Sequence, residues 1–208
     1  MKKIFHLFGL LMIANLTFVS CRNDDNNPPD LHLVTDAGVV INNVRWATRN
    51  VDAPGTFAPN PEDGGMFFQW NRQRGWVAIG DITNWDNSVP TGTAWYAVND
   101  PCPAGWRVPN LEELLSLRNA GSIWIEDWNN TNVNGHLFGT APYQVFLPAV
   151  GWLDTDGVLN HTGIWGGCWS SSTQDDRERA QPLWFGIDTR MHSSHRAYGL
   201  SVRCVTKN

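Results

Sequence analysis

A proline-rich arm that leads into one short helix constrains the fold of this chain more than any other segment. Residues 101–121 read PCPAGWRVPNLEELLSLRNAG. Asn110 followed three residues later by Glu113 is typical of a capping box. Gly121 suits the position just after a last helical turn, where a left-handed conformation is common. The pattern therefore predicts a helix over residues 110–120.

The arm itself is predicted to be extended and rigid. Pro109 disfavours helix in the residue before it, so the helix cannot begin earlier. An apolar stripe on the predicted helix is formed by Leu111, Leu114 and Leu115. Cys102 lies between two prolines on the arm and is a candidate for a disulfide with a cysteine elsewhere in the chain.

Two hairpins are predicted elsewhere. Residues 38–52 contain two short β-type runs around Asn42-Asn43, a pair that favours a tight turn. Residues 183–189 and 198–206 are both apolar and alternating, and they are predicted to be the two arms of a second hairpin.

The middle of the chain is predicted to contain one long buried strand. Residues 143–153 form a continuous apolar run, and Asp156-Gly157 after it favours a type I′ turn. A second, weaker helix is predicted near 91–98. With 19 glycines and 12 prolines, these elements indicate a loop-rich α+β domain with small antiparallel sheets.

The first residues predict export. Lys2 and Lys3 precede an apolar run that ends at Cys21, which is typical of a secretory signal and too short for a convincing membrane span. The residues FVSC resemble a bacterial lipobox, which implies lipidation of Cys21; ordinary signal cleavage nearby is the alternative. We expect a signal peptide over 1–20 and a flexible tether over 21–37.

Composition limits the classes of function. The chain carries 15 lysines and arginines against 20 aspartates and glutamates, and it has no basic patch, so nucleic acid is not an expected partner. Twelve tryptophans are an unusual number. Tryptophan is a residue of cores and also of recognition surfaces, and we expect most of the twelve to be structural.

Several motifs in order resemble the Fibrobacter succinogenes major paralogous domain. They are WATRNVDAPGTFAPNPEDGGMFFQWNR, NDPCPAGWRVPNLEEL, FLPAVGW, CWSSS and YGLSVRCV. The resemblance assigns residues 38–208 to that domain, whose fold is similar to that of C-type lectins. The GWRVPNLEEL element is also similar to one in formylglycine-generating enzymes. The acidic residues after Cys21 resemble the surface-export signal of Bacteroidetes lipoproteins, which implies an outer-membrane, surface-exposed location.

The resemblance implies a disulfide between Cys102 and Cys204. In a C-type lectin-like fold, a cysteine at the first helix is joined to one on the last strand. Trp106 and Arg107 would then lie against the closing sheet. Trp106 is expected to fill the core, and Arg107 is expected to be the partner of a buried carbonyl or carboxylate.

Metal and catalytic sites are not predicted. Gln181-Pro182-Leu183 lacks the carboxylate of the usual lectin calcium site, and no acid closes the DTDG run at 154–157. His192 and His195 are three residues apart without further identifiable zinc ligands. Cys168 lacks the nearby second cysteine of the formylglycine-generating type, so it is expected to be a buried, inert thiol. No cofactor is expected.

Polar loops near the C-terminus are the candidate ligand site. Arginines, acids and histidines occur there beside aromatic residues, a mixture that suits recognition of a partner. The candidate residues are Trp169, Asp175, Asp176, Arg177, Arg179, Trp184, Arg190, His192, His195 and Arg196.

The sequence predicts a non-catalytic, lipid-anchored surface module that binds a glycan or protein ligand in adhesion. The alternative is a structural or assembly component of a surface complex without a ligand of its own. A formylglycine-generating-type enzyme is a third and more distant reading. The membrane is an expected partner only through the N-terminal lipid.

Overall fold

The computed structural model describes residues 35–77, 82–174 and 177–207. The predicted signal peptide, Cys21 and most of the predicted tether lie outside these residues. Asp36, which the sequence analysis placed in the tether, bonds to the packed domain: its carboxylate accepts from the backbone N–H of Gly38 at 2.8 Å and of Thr48 at 2.8 Å. It also pairs with Arg49 at 3.3 Å.

The described residues form a loop-rich α+β domain of small antiparallel sheets with one α-helix. The helix is α1 (Leu111–Asn119), and 3₁₀ turns lie at Ala97–Asn99 and Trp128–Asn130. The strands are β1 (Val39–Ile41), β2 (Val44–Trp46), β3 (Phe67–Phe68), β4 (Gly75–Trp76), β5 (Trp106–Arg107), β6 (Ser122–Ile125), β7 (Gly135–Thr140), β8 (Tyr143–Pro148), β9 (Trp152–Leu153), β10 (Leu159–Asn160), β11 (Gly166–Cys168), β12 (Arg179–Ala180), β13 (Leu183–Phe185), β14 (Thr189–Met191), β15 (Ser194–His195) and β16 (Val205–Thr206). The second helix predicted near 91–98 is only the first of these 3₁₀ turns.

The capping box of α1 is confirmed. The side chain of Asn110 accepts a hydrogen bond from the backbone N–H of Glu113 at 2.9 Å, and the Glu113 carboxylate accepts from the backbone N–H of Asn110 at 2.8 Å. Gly121 follows the helix with a φ of 81°. The helix buries Leu114 and Leu117, which are three residues apart. Of the predicted stripe of Leu111, Leu114 and Leu115, only Leu114 is fully buried.

The disulfide between Cys102 and Cys204 is confirmed, and it closes a separation of 102 residues. In the chain-entropy account a loop of that length stabilises the fold by about 4–5 kcal/mol. Beside it, β16 pairs with β5, with Val205 opposite Arg107. The arm before α1 and the last strand are thus joined by the disulfide and by the pairing of β5 with β16.

The hairpin at Asn42-Asn43 is confirmed as β1–β2. Ile41 pairs with Val44, and both asparagines have positive φ, 49° and 64°. A type I′ turn requires that conformation at both central positions, and asparagine tolerates it. The two buried side chains of the hairpin, Ile41 and Trp46, therefore project into the core.

Two predictions for residues 143–160, a strand and a turn type, were wrong. The run at 143–153 is broken into β8 and β9, because Gly151 turns the chain with a φ of 78° and an added Cβ there would lie 2.2 Å from the carbonyl oxygen of Asn160. In the β9–β10 connection only Gly157 has positive φ, not Asp156, so the turn is not type I′.

The predicted hairpin between 183–189 and 198–206 does not form. Instead β13 pairs with β11 on one side and β14 on the other. The connection from β13 to β14 is a tight turn in which the N–H of Gly186 donates to the carbonyl of Asp188 at 2.9 Å. The final segment pairs with β2 and β5 through β16.

The largest part of the core consists of two apolar clusters. One contains Trp70, Trp169 and Trp184 together with Leu200, Val202 and Cys204, and the other lies between α1 and the strands β8 and β13. No helix in the part of the chain that the structure describes is long and apolar enough to cross a membrane.

Candidate functional site

The β11-β13-β14 sheet contributes to a surface pocket through the face that carries Trp184. Along β13 the side chains alternate between faces: Leu183 and Phe185 pack into the cluster that contacts α1, whereas Trp184 packs into the other cluster. Arg190 lies directly opposite Trp184 in the β13–β14 ladder. The alternation therefore places a tryptophan and an arginine side by side on the pocket face.

The pocket is an open cavity of about 350 Å³. It lies on the face of this sheet that carries Trp184 and Arg190. Its lining also includes residues from the β9–β10 hairpin, from β12 and from the loop after β14. Its aromatic lining consists of Trp152, His161, Trp165, Trp184 and Tyr198, and its polar lining consists of Arg179, Arg190, His192, Ser193 and Ser194.

Aromatic rings in the pocket pack against one another in fixed orientations. Trp152 meets Trp184 edge to face, with ring centroids 5.0 Å apart and an angle of 83°. His161 stacks on Trp152 at 4.7 Å and 6°. Because these rings hold each other, they present flat apolar faces with little conformational freedom to lose on binding a ligand.

Two arginines line the pocket in different ways. The guanidinium of Arg190 lies 4.7 Å from the ring centroid of Trp165, and its carboxylate partner, Asp188, is 3.9 Å away on an exposed turn. Arg179 is held in place by Ser193, whose hydroxyl and carbonyl oxygens each accept a hydrogen bond at 2.7 Å. One cation is thus half exposed at the solvent-facing rim, and the other is held by hydrogen bonds.

Hydrogen bonds hold Trp184 at the base of the pocket. Its indole N–H donates to the hydroxyl of Ser194 at 2.8 Å, and that hydroxyl donates to the carbonyl of His192 at 3.1 Å. Trp184 keeps only 8% of its surface exposed. The polar end of the ring is therefore satisfied by the protein, and the remaining exposed part is apolar.

Four of the ten residues predicted from the sequence line this pocket: Arg179, Trp184, Arg190 and His192. His195 pairs with Arg179 between β12 and β15, and its ring Nδ1 accepts from the backbone N–H of Ala197 at 3.2 Å. Arg177 is exposed in the turn before β12. Asp175 and Asp176 lie outside the described residues.

Two predicted ligand-binding residues are buried. Trp169 is 0% exposed, and its indole N–H donates to the carbonyl of Phe68 at 2.7 Å. Arg196 is 2% exposed; it lies over the ring of Trp70 at 4.4 Å and donates to the carbonyl of Gly92 at 2.9 Å. Neither can offer a surface to a ligand, so the structure corrects these two assignments.

Trp152, His161 and Trp165 line the pocket but were not among the residues predicted from the sequence. Trp152 lay in the run predicted to be a buried strand, and Trp165 lay outside any predicted element. The signal that could have found them is the Asp154–Gly157 turn, since the hairpin it closes pairs Asn160 with Trp152. That pairing brings His161 onto the ring of Trp152.

The described residues contain no group of three or more His, Cys, Asp or Glu side chains that could hold a metal ion. Cys168 is a free thiol inside the core. Burial raises the pKa of the Cys168 thiol to about 12, so the reactive thiolate form is scarce at neutral pH. The pocket's chemistry is accordingly that of aromatic faces, guanidinium groups and imidazoles.

Comparison of the chain with protein-family models, with curated proteins and with solved structures found no match. The geometry of the pocket is therefore the basis for a functional proposal.

Proposed function

We propose that this chain is a non-catalytic binding module, anchored by a lipid on Cys21 at the outer membrane and exposed at the cell surface. Its fold is C-type lectin-like, of the major paralogous domain type. The fold assignment is supported by the disulfide that joins the arm before α1 to the segment before the last strand. It is supported further by the small antiparallel sheets around a single helix.

The observation that carries the binding proposal is the pocket of tryptophans braced against one another beside two guanidinium groups. Ligand sites are concave and largely apolar, with a few polar groups that set orientation. Sugar rings present C–H faces that pack on aromatic planes and hydroxyls that bond to polar side chains. Trp165 and Trp152 are both half-buried, so each ring is supported from behind and still accessible to a ligand. A glycan is the ligand class that this combination favours.

The burial of Cys168 argues against an enzyme of the formylglycine-generating type. The enzyme class that the GWRVPNLEEL element resembles, the formylglycine-generating type, uses a pair of cysteines, and such thiols must be accessible to react. Cys168 is 1% exposed, and the other two described cysteines are bonded to each other.

A glycan array probed with the full chain tests the proposal. Trp165→Ala should abolish binding to whichever glycans the unaltered chain retains, because it removes an accessible wall of the pocket. Trp124→Ala is the matched control, since Trp124 is also half-buried but lies in β6, away from the pocket. If Trp165→Ala and Trp124→Ala bind glycans equally well, the pocket is not the site.

An assembly role is the second candidate, and two exposed isoleucines favour it. Ile187 is 93% exposed and Ile164 is 57% exposed, and both lie next to residues that contact each other, Gly186 and Trp165. Exposed apolar residues grouped in this way suit a protein partner. Ile187→Ser should weaken cross-linking to neighbouring surface proteins in this case, while glycan binding in the pocket would be unaffected.

A further inference from the structure

We infer that the pocket binds an acidic sugar, that is, a glycan residue bearing a carboxylate, and that Arg190 contacts that carboxylate. The inference rests on the proposed function, since it names the ligand class for the same pocket. It requires that the pocket attract an anion, that an arginine be available to pair with it, and that an apolar plane lie within reach of the same sugar.

The charge of the lining supplies the first requirement. Among the described residues that line the pocket, two are arginines and two are histidines, and none is an aspartate or glutamate. This local balance is opposite to that of the chain, which has five more acidic than basic residues. A cluster of one sign inside a chain of the other sign is a feature of a site that attracts an oppositely charged ligand.

The position of Arg190 supplies the second requirement. Its only ionic partner among the described residues is Asp188, at 3.9 Å, and both side chains are about half exposed, at 51% and 56%. An exposed pair of this kind is weak and easily exchanged for a better partner. Trp165 supports the flat face of the guanidinium, which leaves its edge, the part that bonds a carboxylate with two parallel N–H groups, open to a ligand.

Arg179 adds a second positive charge that needs no rearrangement. Ser193 already accepts hydrogen bonds from two of its nitrogens, Nε and Nη2. Because the side chain is ordered before a ligand arrives, little of its conformational entropy is lost on binding. Arg179 therefore contributes a fixed positive field, and Arg190 the directional contact.

The ladder supplies the third requirement. Residues directly opposite each other in an antiparallel pair have Cβ atoms about 4.5–5.5 Å apart, and Trp184 and Arg190 are such a pair. Trp165 lies under the same guanidinium. A ligand whose anion reaches Arg190 therefore also meets an aromatic face, which a free inorganic anion could not use. An acidic sugar carries the anion and the apolar face on one ring.

Direct titration tests the inference. The full chain, purified in detergent, is titrated with oligogalacturonate, oligoglucuronate and sialyl-lactose, and with the same three sugars after their carboxylates have been converted to amides. At least one acid should bind, and its amide should bind roughly tenfold to a hundredfold more weakly, as expected for loss of a charge-assisted contact. Affinity for the acid should also fall as NaCl is raised, because the contact is partly exposed.

Matched variants locate the contact. Arg190→Gln should weaken binding of the acid by a similar factor and leave binding of the amide unchanged. Arg74→Gln is the control, because Arg74 also lies over a tryptophan, Trp76, at 3.8 Å, but outside the pocket. It should change neither affinity. Circular dichroism melts of both variants exclude unfolding as the cause.

Each other outcome overturns the inference in a recognisable way. If acids and amides bind equally, the pocket is a glycan site without selection for charge, and the proposed function stands alone. If oligoglutamate competes as well as the acidic sugars, the site recognises charge and not sugar. If none of the acidic sugars binds while neutral glycans do, only the inference fails; if no glycan binds at all, the glycan-binding proposal fails with it.

Discussion

Arg107 donates two hydrogen bonds to the carboxylate of Glu113, at 2.8 and 2.6 Å. Glu113 is the residue that closes the capping box of α1, and Arg107 lies in β5, which pairs with the last strand. One carboxylate therefore connects the helix start, the proline-rich arm and the closing sheet. The resemblance implied a buried carbonyl or carboxylate as the partner of Arg107, and the structure shows a carboxylate that is partly buried.

Replacement of Glu113 should destabilise the fold in a pH-dependent way. Burial acts to raise the pKa of Glu113, but hydrogen bonds from Arg107 and from the backbone of Asn110 outweigh it and leave the pKa below its ordinary value of 4.5. A lowered pKa stabilises the fold above pH 4.5, and the effect is lost as the pH falls through the folded-state pKa. Glu113→Gln should thus lower the free energy of unfolding by about 2 kcal/mol at pH 7.

Urea unfolding of the unaltered chain and of Glu113→Gln at pH 7, 5 and 3 measures this effect. The difference in free energy should shrink towards pH 3. Glu112→Gln is the control, because Glu112 is the exposed neighbour in the same helical turn, and it should change stability by less than about 0.5 kcal/mol. A difference that is constant with pH would show that the ion pair is not the cause.

Cys168 should resist alkylation in the folded chain. Its thiol is buried and burial raises its pKa to about 12, so an alkylating reagent at pH 8 finds neither access nor thiolate. Mass spectrometry should detect no adduct until denaturant is added, and then one adduct on Cys168 without reductant. A peptide linking Cys168 to Cys102 or Cys204 would contradict the assigned pairing.

Features set by neighbouring residues were predictable from the sequence. The turn at Asn42-Asn43 and the cap at Asn110 depend on a few adjacent side chains and the backbone conformations they tolerate. The partner of β13 was not predictable in this way, since residues 198–206 are also apolar and alternating and were an equally suitable partner. The tight turn at Gly186 pairs β13 with β14, and this pairing becomes apparent only in the folded backbone.

The candidate site was predicted in part for a related reason. Residue type suggested that Arg196 and Trp169 would face a ligand, yet burial depends on which groups surround a side chain. Arg196 is buried because carbonyl oxygens, such as that of Gly92, and the ring of Trp70 receive its guanidinium. Gly92 is 104 residues away in sequence and Trp70 is farther still, and no local pattern identifies them.

Cys21→Ala should release the chain from membranes. The apolar run after Lys2 and Lys3 ends at Cys21, and lipid on that cysteine is the proposed anchor. Fractionation of cells that express each form should find the unaltered chain in the membrane pellet and the variant in the soluble fraction. Metabolic labelling with a fatty acid should mark only the unaltered chain. A variant that remains wholly in the pellet would contradict the anchor.

Gly186→Ala should damage the pocket more than the fold. A Cβ at Gly186 would lie 2.5 Å from Cδ2 of Trp165, so the ring must move, and with it the surface on which Arg190 rests. Overpacking of this kind costs typically about 1–3 kcal/mol, which is less than the roughly 5–15 kcal/mol by which native domains are usually stable. Gly64→Ala is the control, since its Cβ would lie 2.9 Å from Val150, away from the pocket. Glycan titration and thermal melts should find lost binding only in Gly186→Ala, with both variants folded. Equal binding by the two variants would show that the position of Trp165 is unimportant to the ligand.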